Sequence, residues 1–243
     1  LTDSATAGFS YQFDINEVIM LNHNEFKIND TCIEAFSLPN ILNGLNKYIH
    51  YKNTNDFPQY ERPQSHNYEL SDQPLTQETY FNMMQDFLQQ DDILIAEQGT
   101  SFFGAYDLAL YKDNTFIGQP LWGSIGYTLP ATLGTQIANP YRRNILLIVI
   151  NNDGYTVERM IHGMKEPYND IRMWDYKSLP SVFGGDNVLV HDVNTSEELM
   201  LTFENIKSNS DRMHFVEVKM AVEDAPVKLS NIAKAFASQN KSS

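Results

Sequence analysis

The residues best suited to chemistry lie in one stretch, residues 149–163, where an apolar run ends in side-chain oxygens and a glycine. The preceding run, residues 145–150, is unbroken and rich in β-branched residues, which favours a strand buried on both faces of a parallel sheet. Residues 151–153 (Asn, Asn, Asp) offer the hard oxygen ligands that Mg²⁺ prefers, and Gly154 would let a backbone carbonyl approach the same ion. Because ligands bind beyond the carboxyl ends of parallel strands, this stretch is a candidate cofactor site.

The pair Asp153-Gly154 also admits a second interpretation, because Asp-Gly after an apolar run is the strongest short hairpin signal. The residues that follow favour a helix instead. Val157 and Ile161 lie four residues apart on one side of a predicted turn, and Glu158 lies on the adjacent stripe. The expected order is therefore strand, loop and helix, with Glu158 at the start of the helix.

The segment NNDGYTVERMIHG resembles the thiamine diphosphate-dependent 2-oxo acid decarboxylases, the family of the pyruvate and indolepyruvate decarboxylases. The same resemblance extends to EQGTSFFGA at 97–105, GQPLWGSIGYT at 118–128, the segment 168–180 and EDAP at 223–226, which together reach over nearly the whole chain. It implies an α/β protein with the thiamine diphosphate-binding fold. Its mainly parallel sheet would be flanked by helices and preceded by the tail of a middle α/β domain.

The resemblance further implies two cofactors, thiamine diphosphate and Mg²⁺. Asn152 and the Gly154 carbonyl would ligate the metal, and Glu158 would be the catalytic group beside the reactive carbon of the cofactor. The residues expected to contact the cofactor are Gly99, Thr100, Ser101, Gly123, Ser124, Ile125, Asn152, Gly154, Tyr155 and Thr156. For residues 99–101 the chemistry agrees, because a strand that breaks into a glycine flanked by hydroxyls can hold phosphate oxygens.

A substrate pocket is implied as well, bordered by Ser4, Phe102, Phe103, Val157, Ile161, Ile232 and Phe236. Small aliphatic side chains at 157 and 161 would suit a bulky aromatic or branched 2-oxo acid. Core packing is the alternative for the two phenylalanines at 102 and 103 and for the apolar stripe that carries Ile232 and Phe236. Ser4 could equally be an ordinary loop residue.

The chain divides, on composition, into three parts. Residues 1–60 do not have the pattern of a complete domain, and the family resemblance implies that they are the C-terminal part of the middle domain. Residues 61–74 are polar, with two prolines, and are expected to form an extended linker. Residues 75–243 would form the diphosphate- and Mg-binding domain, with helices that begin after the N-caps Thr76 and Thr195.

One part of the family pattern has no counterpart, namely a Gly-Asp-Gly-Ser segment and the helix after it. Its aspartate would be the main carboxylate ligand of Mg²⁺. The sequence passes from Ile148 directly to Val149, although two parallel strands can be joined only by a crossover. We therefore expect residues to have been omitted at this point. The family's N-terminal domain, which would supply an activating glutamate across a subunit interface, also has no counterpart here.

Composition restricts the partners. The net charge of −14 and a pI near 4.7 disfavour nucleic acid and anionic membranes. The single Cys32 allows no internal disulfide, and no apolar run approaches the length of a membrane span, so a cytoplasmic protein is expected. The start at Leu-Thr-Asp-Ser, without Met, suggests part of a longer polypeptide.

The function expected from the resemblance is non-oxidative decarboxylation of a 2-oxo acid to an aldehyde, by a homodimer or homotetramer in which a partner subunit completes the site. Indolepyruvate, phenylpyruvate, pyruvate and branched-chain 2-oxo acids are the candidate substrates. A thiamine-dependent carboligase is the alternative enzyme. An inactive cofactor-domain fragment that serves as an interaction module is the alternative of a different class.

Overall fold

A computed structural model describes residues 19–21, 25–28, 31–34, 37–48, 67–142 and 144–240, apart from the side chains of residues 34, 232 and 235–240. Ser4, predicted at the substrate pocket, lies outside these residues. The chain divides into two compact units. The first comprises Leu1–Glu61 with Pro120–Trp122, and the second comprises Arg62–Gln119 with Gly123–Ser243.

The first unit contains a small antiparallel sheet and one helix. Strands β1 (Ile19–Leu21), β2 (Glu25–Ile28) and β3 (Thr31–Glu34) pair in the order β1-β2-β3. Helix α1 (Leu38–Asn46) follows Ser37 and has a proline in its first turn, where the missing N–H costs nothing.

The second unit alternates strands and helices. Its elements are α2 (Gln77–Phe87), β4 (Ile93–Ile95), α3 (Thr100–Ala105), β5 (Thr115–Ile117), α4 (Thr128–Ala138), β6 (Leu146–Asn151), α5 (Thr156–His162), α6 (Leu179–Val182), β7 (Leu189–Val193), α7 (Ser196–Ser208), β8 (His214–Lys219) and α8 (Val227–Asn240). The strands form two parallel sheets, β4-β5 and β6-β8-β7. This confirms the predicted α/β class with parallel sheets flanked by helices.

Helix starts follow the capping residues that the sequence predicts. Thr76 Oγ1 accepts a hydrogen bond from Thr79 N at 3.2 Å at the start of α2. Thr195 Oγ1 accepts from Glu198 N at 3.2 Å at the start of α7, and the Glu198 carboxylate accepts from Asn194 N at 2.7 Å. Each bond satisfies a backbone N–H that the helix itself leaves unpaired, which fixes where the helix begins.

The main hydrophobic core lies between helices α2 and α7 and strands β7 and β8. Leu199 of α7, Val193 of β7 and Val218 of β8 are all 0% exposed. The first five residues of β8, His214–Val218, are buried without exception. A second, smaller cluster is centred on Ala96, Phe102 and Ala105. We call the first cluster the α2/α7 core.

Strand β6 is less buried than its sequence predicts. Each of its six residues is only half-buried, so the expectation of burial on both faces is wrong. Leu146, Ile148 and Ile150 pack against the α2/α7 core, whereas Leu147 and Val149 point to the other face by alternation. The physical reason is a lack of neighbours, because among the described residues no strand pairs with the second edge of β6.

Helix α4 shows the same incomplete burial, since none of its residues is buried. Leu129, Leu133 and Ile137 recur every fourth residue and are 66%, 64% and 71% exposed. Residues at this spacing form one face of a helix. We call these three residues the α4 stripe.

Strand β6 continues without a break across the peptide bond between Ile148 and Val149. Ile148 pairs with Val216 and Val149 pairs with Glu217 in an unbroken parallel register with β8. This chain can therefore form one strand across the point where the sequence predicts omitted residues. The omission itself stays a prediction.

The predicted linker is attached to the second unit where it is described. Residues 67–74 form no helix and no named strand, but Ser71 N donates to Ser196 Oγ at 2.8 Å and Leu75 N donates to the Asn194 carbonyl at 2.8 Å. Residues 61–66 lie outside the described residues. In the described part of the chain, no helix has both the length and the apolar character needed to cross a membrane.

Candidate functional site

The loop after β6 makes a sharp turn that depends on Gly154. Asp153 has φ 54° and Gly154 has φ 139°, both in the left-handed region. A Cβ on Gly154 would lie 2.6 Å from Arg159 Nη2 and 2.6 Å from the Asn169 carbonyl oxygen. Neither the conformation nor the space admits a side chain, so Gly154 is required by the fold of this loop, whatever else it binds. The turn leads into α5, which settles the hairpin alternative in favour of the helix.

The side chain of Arg159 fixes the loop between β6 and α5. Its side chain is only 7% exposed and forms an ion pair with Asp170 at 2.6 Å. The guanidinium also donates to the carbonyls of Asp153, Met164 and Asn169 at 3.2 to 3.4 Å. Because a buried planar fork with several acceptors fixes orientation well, Arg159 ties both ends of the loop and helix to the segment that follows.

Asn152 is placed by a short hydrogen-bond chain. Its Nδ2 donates to Thr156 Oγ1 at 2.8 Å, and that hydroxyl donates to the Val222 carbonyl at 3.0 Å. Since the hydroxyl gives its proton to the carbonyl, it must accept from the amide N–H, and this orients Asn152. The amide oxygen takes no part in the chain. Thr156, a predicted cofactor contact, is 2% exposed, and its hydroxyl already forms two hydrogen bonds within the protein.

The predicted reactive face of α5 is open. Glu158 is exposed in the first turn of the helix, four residues beyond Gly154. Val157 and Ile161 are half-buried beside it, and Tyr155 is 42% exposed. Asn152 and Gly154 thus lie in the loop directly after β6, and Glu158 lies in the first turn of the helix that this loop enters.

The other predicted cofactor contacts lie at the carboxyl end of β4. Gly99, with φ 136°, is the N-cap of α3, and Thr100 follows it, 8% exposed. Ser101 and Phe103 are half-buried. Phe102, predicted as a pocket wall, is 6% exposed in the second core cluster, and a Cβ on Gly118 would lie 2.6 Å from its ring.

Glu97, which sequence reasoning did not assign to the site, organises the loop that carries Gly123, Ser124 and Ile125. Its Oε2 accepts from Gly126 N at 3.1 Å and from Thr128 N and Oγ1 at 3.1 and 2.8 Å. The carboxylate therefore caps the N-terminus of α4, where negative charge is favoured. Gly123 (φ 60°), Ser124 and Ile125 are exposed.

Helix α8 lies beside both groups of predicted cofactor contacts, those after β4 and those after β6. It packs against α3, which follows β4, and against α5, which follows β6. The carboxyl ends of β4 and β6 therefore lead to the same helix. Ile232 and Phe236 lie on α8, as the pocket prediction requires, but their side chains are outside the described residues.

Lys177 and Lys219 line an open cavity of about 430 Å³ beyond β6 and β8. Lys177 and Lys219 both donate to Asp192, at 2.5 and 3.1 Å. Burial alone would raise the pKa of Asp192, but these two bonds outweigh it and lower that pKa. Both cations are thus paired with this one carboxylate within the fold. The cavity is also lined by Asn151, whose Nδ2 donates to the buried Glu217 at 2.6 Å.

The residues at the end of β6 do not by themselves fit a Mg²⁺ ion. They offer the Asn152 amide oxygen, the exposed Asp153 carboxylate and backbone carbonyls, but the described residues contain no group of three or more His, Cys, Asp or Glu that could hold a metal. The buried guanidinium of Arg159 already takes the Asp170 carboxylate. Mg²⁺ favours an octahedral shell of oxygen ligands that includes one or two carboxylates, so these residues supply only part of that shell.

Two of the anchoring residues, Glu97 and Arg159, had no clear signal in the sequence. A charged residue after a strand or in a helix is ordinarily solvated, and only the fold shows Arg159 buried and Glu97 at the helix N-terminus. A reader of the sequence could have noted that each belongs to a segment already singled out for other reasons.

The fold is that of an α/β protein with parallel sheets, whose candidate site lies at the carboxyl ends of the strands. Similar proteins of known class identify the family more closely. An alpha-keto-acid decarboxylase from Mycobacterium bovis (strain BCG / Pasteur 1173P2) is 40% identical over 193 residues, which cover 69% of this chain and 34% of the relative. The enzyme of the same name from Mycolicibacterium paratuberculosis is 41% identical over 180 residues, which cover 64% of this chain and 32% of the relative. No protein-family model matches the chain.

The matched part of the chain belongs to the alpha-keto-acid, or 2-oxo acid, decarboxylase family, which confirms the resemblance predicted from the sequence. The chain spans about a third of the length of these relatives. The alignments are also longer than the parts of this chain that they cover. The first is 193 residues long, whereas 69% of 243 residues is about 168, so about 25 positions of the relative have no counterpart here. The second gives the same figure, 180 against about 156.

Proposed function

We propose that the complete protein catalyses the non-oxidative decarboxylation of a 2-oxo acid to an aldehyde and CO₂. The observation that carries the proposal is the arrangement of Asn152, Gly154 and Glu158 around the end of β6, within a region that is 40% identical to alpha-keto-acid decarboxylases. The cofactors we propose are thiamine diphosphate and Mg²⁺. When bound, thiamine diphosphate supplies the carbon nucleophile and electron sink that this reaction needs.

Glu158 is the residue we assign to proton transfer. The net reaction replaces the carboxylate of the substrate by a proton, so a group beside the reacting carbon must deliver one. Glu158 is suited because it is exposed on the open face of α5, while the loop before it is fixed by Arg159 and Thr156. A rigid support keeps an acid–base group in position, which such catalysis requires.

Side chains beside Glu158 would select the substrate. Val157 and Ile161 are half-buried on the same short helix and present aliphatic surface. We propose that they contact the side chain of the 2-oxo acid and leave room for an aromatic or branched group, such as those of phenylpyruvate, indolepyruvate or a branched-chain 2-oxo acid. Pyruvate would be the smallest candidate.

We propose further that this chain alone does not turn over substrate, because its donor set for Mg²⁺ is incomplete. We infer that residues outside the described part of the chain supply further oxygen ligands. We also propose that the complete protein is a homodimer or homotetramer in which the partner subunit completes the site.

The experiment is an aldehyde assay on the native protein purified from its source, with phenylpyruvate, indolepyruvate and pyruvate in the presence of thiamine diphosphate and Mg²⁺. In the recombinant complete protein, Glu158→Gln should lower turnover by about 10²- to 10⁴-fold, the usual contribution of a general acid or base. The matched control is Glu204→Gln, which removes an exposed carboxylate on α7. Native protein that forms no aldehyde from any substrate contradicts the proposal. Equal turnover of Glu158→Gln and wild type removes Glu158 from the catalytic role.

A further inference from the structure

The chain between strand β8 and helix α8 borders the start of helix α5. Its first residues, Ala221–Asp224, form a β-turn that is closed by a hydrogen bond from Asp224 N to the Ala221 carbonyl at 3.1 Å. We call these four residues the β8–α8 turn. Val222 is the second residue of the turn, and its carbonyl accepts a hydrogen bond from the hydroxyl of Thr156, the first residue of α5, at 3.0 Å.

Both ends of the β8–α8 turn are attached to neighbouring elements. Just before the turn, Met220 N donates to the carbonyl of Asn151, the last residue of β6, at 3.0 Å. At the end of the turn, the Asp224 carboxylate accepts from Gln77 N at 2.5 Å. Gln77 is the first residue of α2 and is 0% exposed. These two hydrogen bonds together fix the position of the Val222 carbonyl, which lies between them in the chain.

The bond to Asp224 is the one of these two that depends on a side chain. The first N–H groups of a helix have no partner within the helix, and a negative charge is favoured beside them. In α2, Asp224 satisfies the first of these groups and Thr76 satisfies the third. Asp224 thereby joins the β8–α8 turn to an element 147 residues away in the chain.

The β8–α8 turn orients the start of α5 through Thr156. The hydroxyl of Thr156 donates to the Val222 carbonyl and accepts from Asn152 Nδ2 at 2.8 Å. Glu158, the residue assigned above to proton transfer, lies two residues further along in the same helical turn. Helix α5 has only seven residues, and a helix this short depends on contacts with its surroundings. The direction of Glu158 therefore depends on the position of the Val222 carbonyl.

We propose that Asp224 is a positioning residue for Glu158. Asp224 holds the β8–α8 turn on α2, the Val222 carbonyl in that turn holds Thr156, and Thr156 fixes the first turn of α5. Asp224 acts only through these contacts and is not itself a catalytic residue. The inference rests on the function proposed for Glu158, whereas the attachment of α5 through Asp224 can be tested without it.

The first test measures aldehyde formation by the complete recombinant protein. Asp224→Ala should lower kcat about tenfold and leave KM unchanged, because a displaced acid–base group slows the chemical step and not the binding of substrate. Asp224→Asn keeps a side-chain oxygen that can accept from Gln77 N and should retain most of the wild-type kcat. Glu223→Gln, at an exposed position in the same turn, is the control and should match wild type. Equal kcat for Asp224→Ala and wild type overturns the proposal.

A double-mutant cycle separates positioning of Glu158 from a general loss of structure. In the Glu158→Gln background the proton-transfer group is already absent, so Asp224→Ala should cause no further loss of kcat. Losses that multiply in the double variant would show that Asp224 does not act through Glu158, and they would contradict the proposal.

A second pair of variants removes the same hydrogen bond from the other side and covers the case in which Asp224→Ala does not fold. Gln77→Pro deletes the N–H that Asp224 accepts, at a helix position that tolerates proline. The preceding Thr76 has φ −98° and ψ 157°, an extended conformation that a following proline allows. Gln77→Ala keeps the N–H and is the matched control.

Hydrogen exchange measured by mass spectrometry compares this pair without any substrate. The amides of residues 152–162 should exchange about tenfold faster in Gln77→Pro than in Gln77→Ala, because the attachment of α5 is weakened only in the first. Equal exchange in the two variants contradicts the proposal. If the wild-type protein forms no aldehyde, the proposed function alone fails, and the exchange comparison still decides whether Asp224 holds α5 in place.

Discussion

Strands β6 and β8 lie side by side in one sheet, and each has six residues, yet their burial is the reverse of what their sequences suggest. Strand β6 reads Leu-Leu-Ile-Val-Ile-Asn and none of its residues is buried, whereas β8 carries His214 and Glu217 and has five buried residues. The difference lies in the neighbours. Strand β8 is paired on both edges and β6, among the described residues, on one. The burial of a strand therefore depends on the elements that pack around it. Its composition shows only which degree of burial the strand can tolerate.

Buried polar groups in β8 are acceptable because they are paired. His214, 1% exposed, donates from Nε2 to the Asn209 carbonyl at 3.0 Å, so its Nδ1 is left to accept from His191 Nε2 at 3.0 Å. Glu217 accepts from Asn151 at 2.6 Å. The closed side of the sheet thus holds polar groups at little cost, while the open side leaves apolar groups in water.

The largest expected effect tests this contrast directly. Leu199→Ala in the α2/α7 core should lower the free energy of unfolding by about 2–5 kcal/mol, because a fully buried leucine leaves a cavity when truncated. The matched variant is Leu133→Ala in the α4 stripe, where a 64% exposed side chain should give a change of about 0.5 kcal/mol or less. Urea denaturation of both measures the difference. Similar values would mean that α4 is covered in solution.

A second expected effect concerns the loop beside the open strand. Arg159→Met should lower the free energy of unfolding by about 1–3 kcal/mol, since the carbonyls of Asp153 and Met164 lose the guanidinium as their donor. Hydrogen exchange should rise in residues 153–170. Arg172→Met, at an exposed position nearby, is the control and should change neither quantity. Unaltered exchange in Arg159→Met would show that the loop is held by other contacts.

The smallest expected effect is a pH dependence from the closed side. Burial, and then the neighbouring His214, lower the pKa of His191 below its ordinary value of 6.5. The unfolded chain therefore binds a proton first, so stability is full above pH 6.5 and declines as the pH falls below it, by at most about 1.4 kcal/mol per pH unit. Urea midpoints between pH 7.5 and 5.5 measure the decline. His191→Gln should reduce it, and His162→Gln, at an exposed position, should not. A decline that persists in His191→Gln would assign it to other groups.

Local signals predicted the parts of this fold that local chemistry decides. The N-caps Thr76 and Thr195, the strand before Asn151 and the turn at Gly154 all follow from side-chain chemistry within a few residues. The burial of β6 was mispredicted because it depends on a neighbouring strand far away in sequence. Glu97 was missed for the same reason, since its partners lie 29 and 31 residues further along the chain. The partners of Arg159 lie within 11 residues, but in an irregular segment that carries no periodic signal.

Glu97 connects the end of strand β4 with the start of helix α4. The residue stands two positions after β4, and its carboxylate holds Gly126 and Thr128 at the start of α4. Strand and loop are therefore linked rigidly through one side chain. Loss of this one carboxylate would therefore free the loop that carries Gly123 and Ile125 from the end of β4 and leave two backbone N–H groups at the start of α4 without their acceptor.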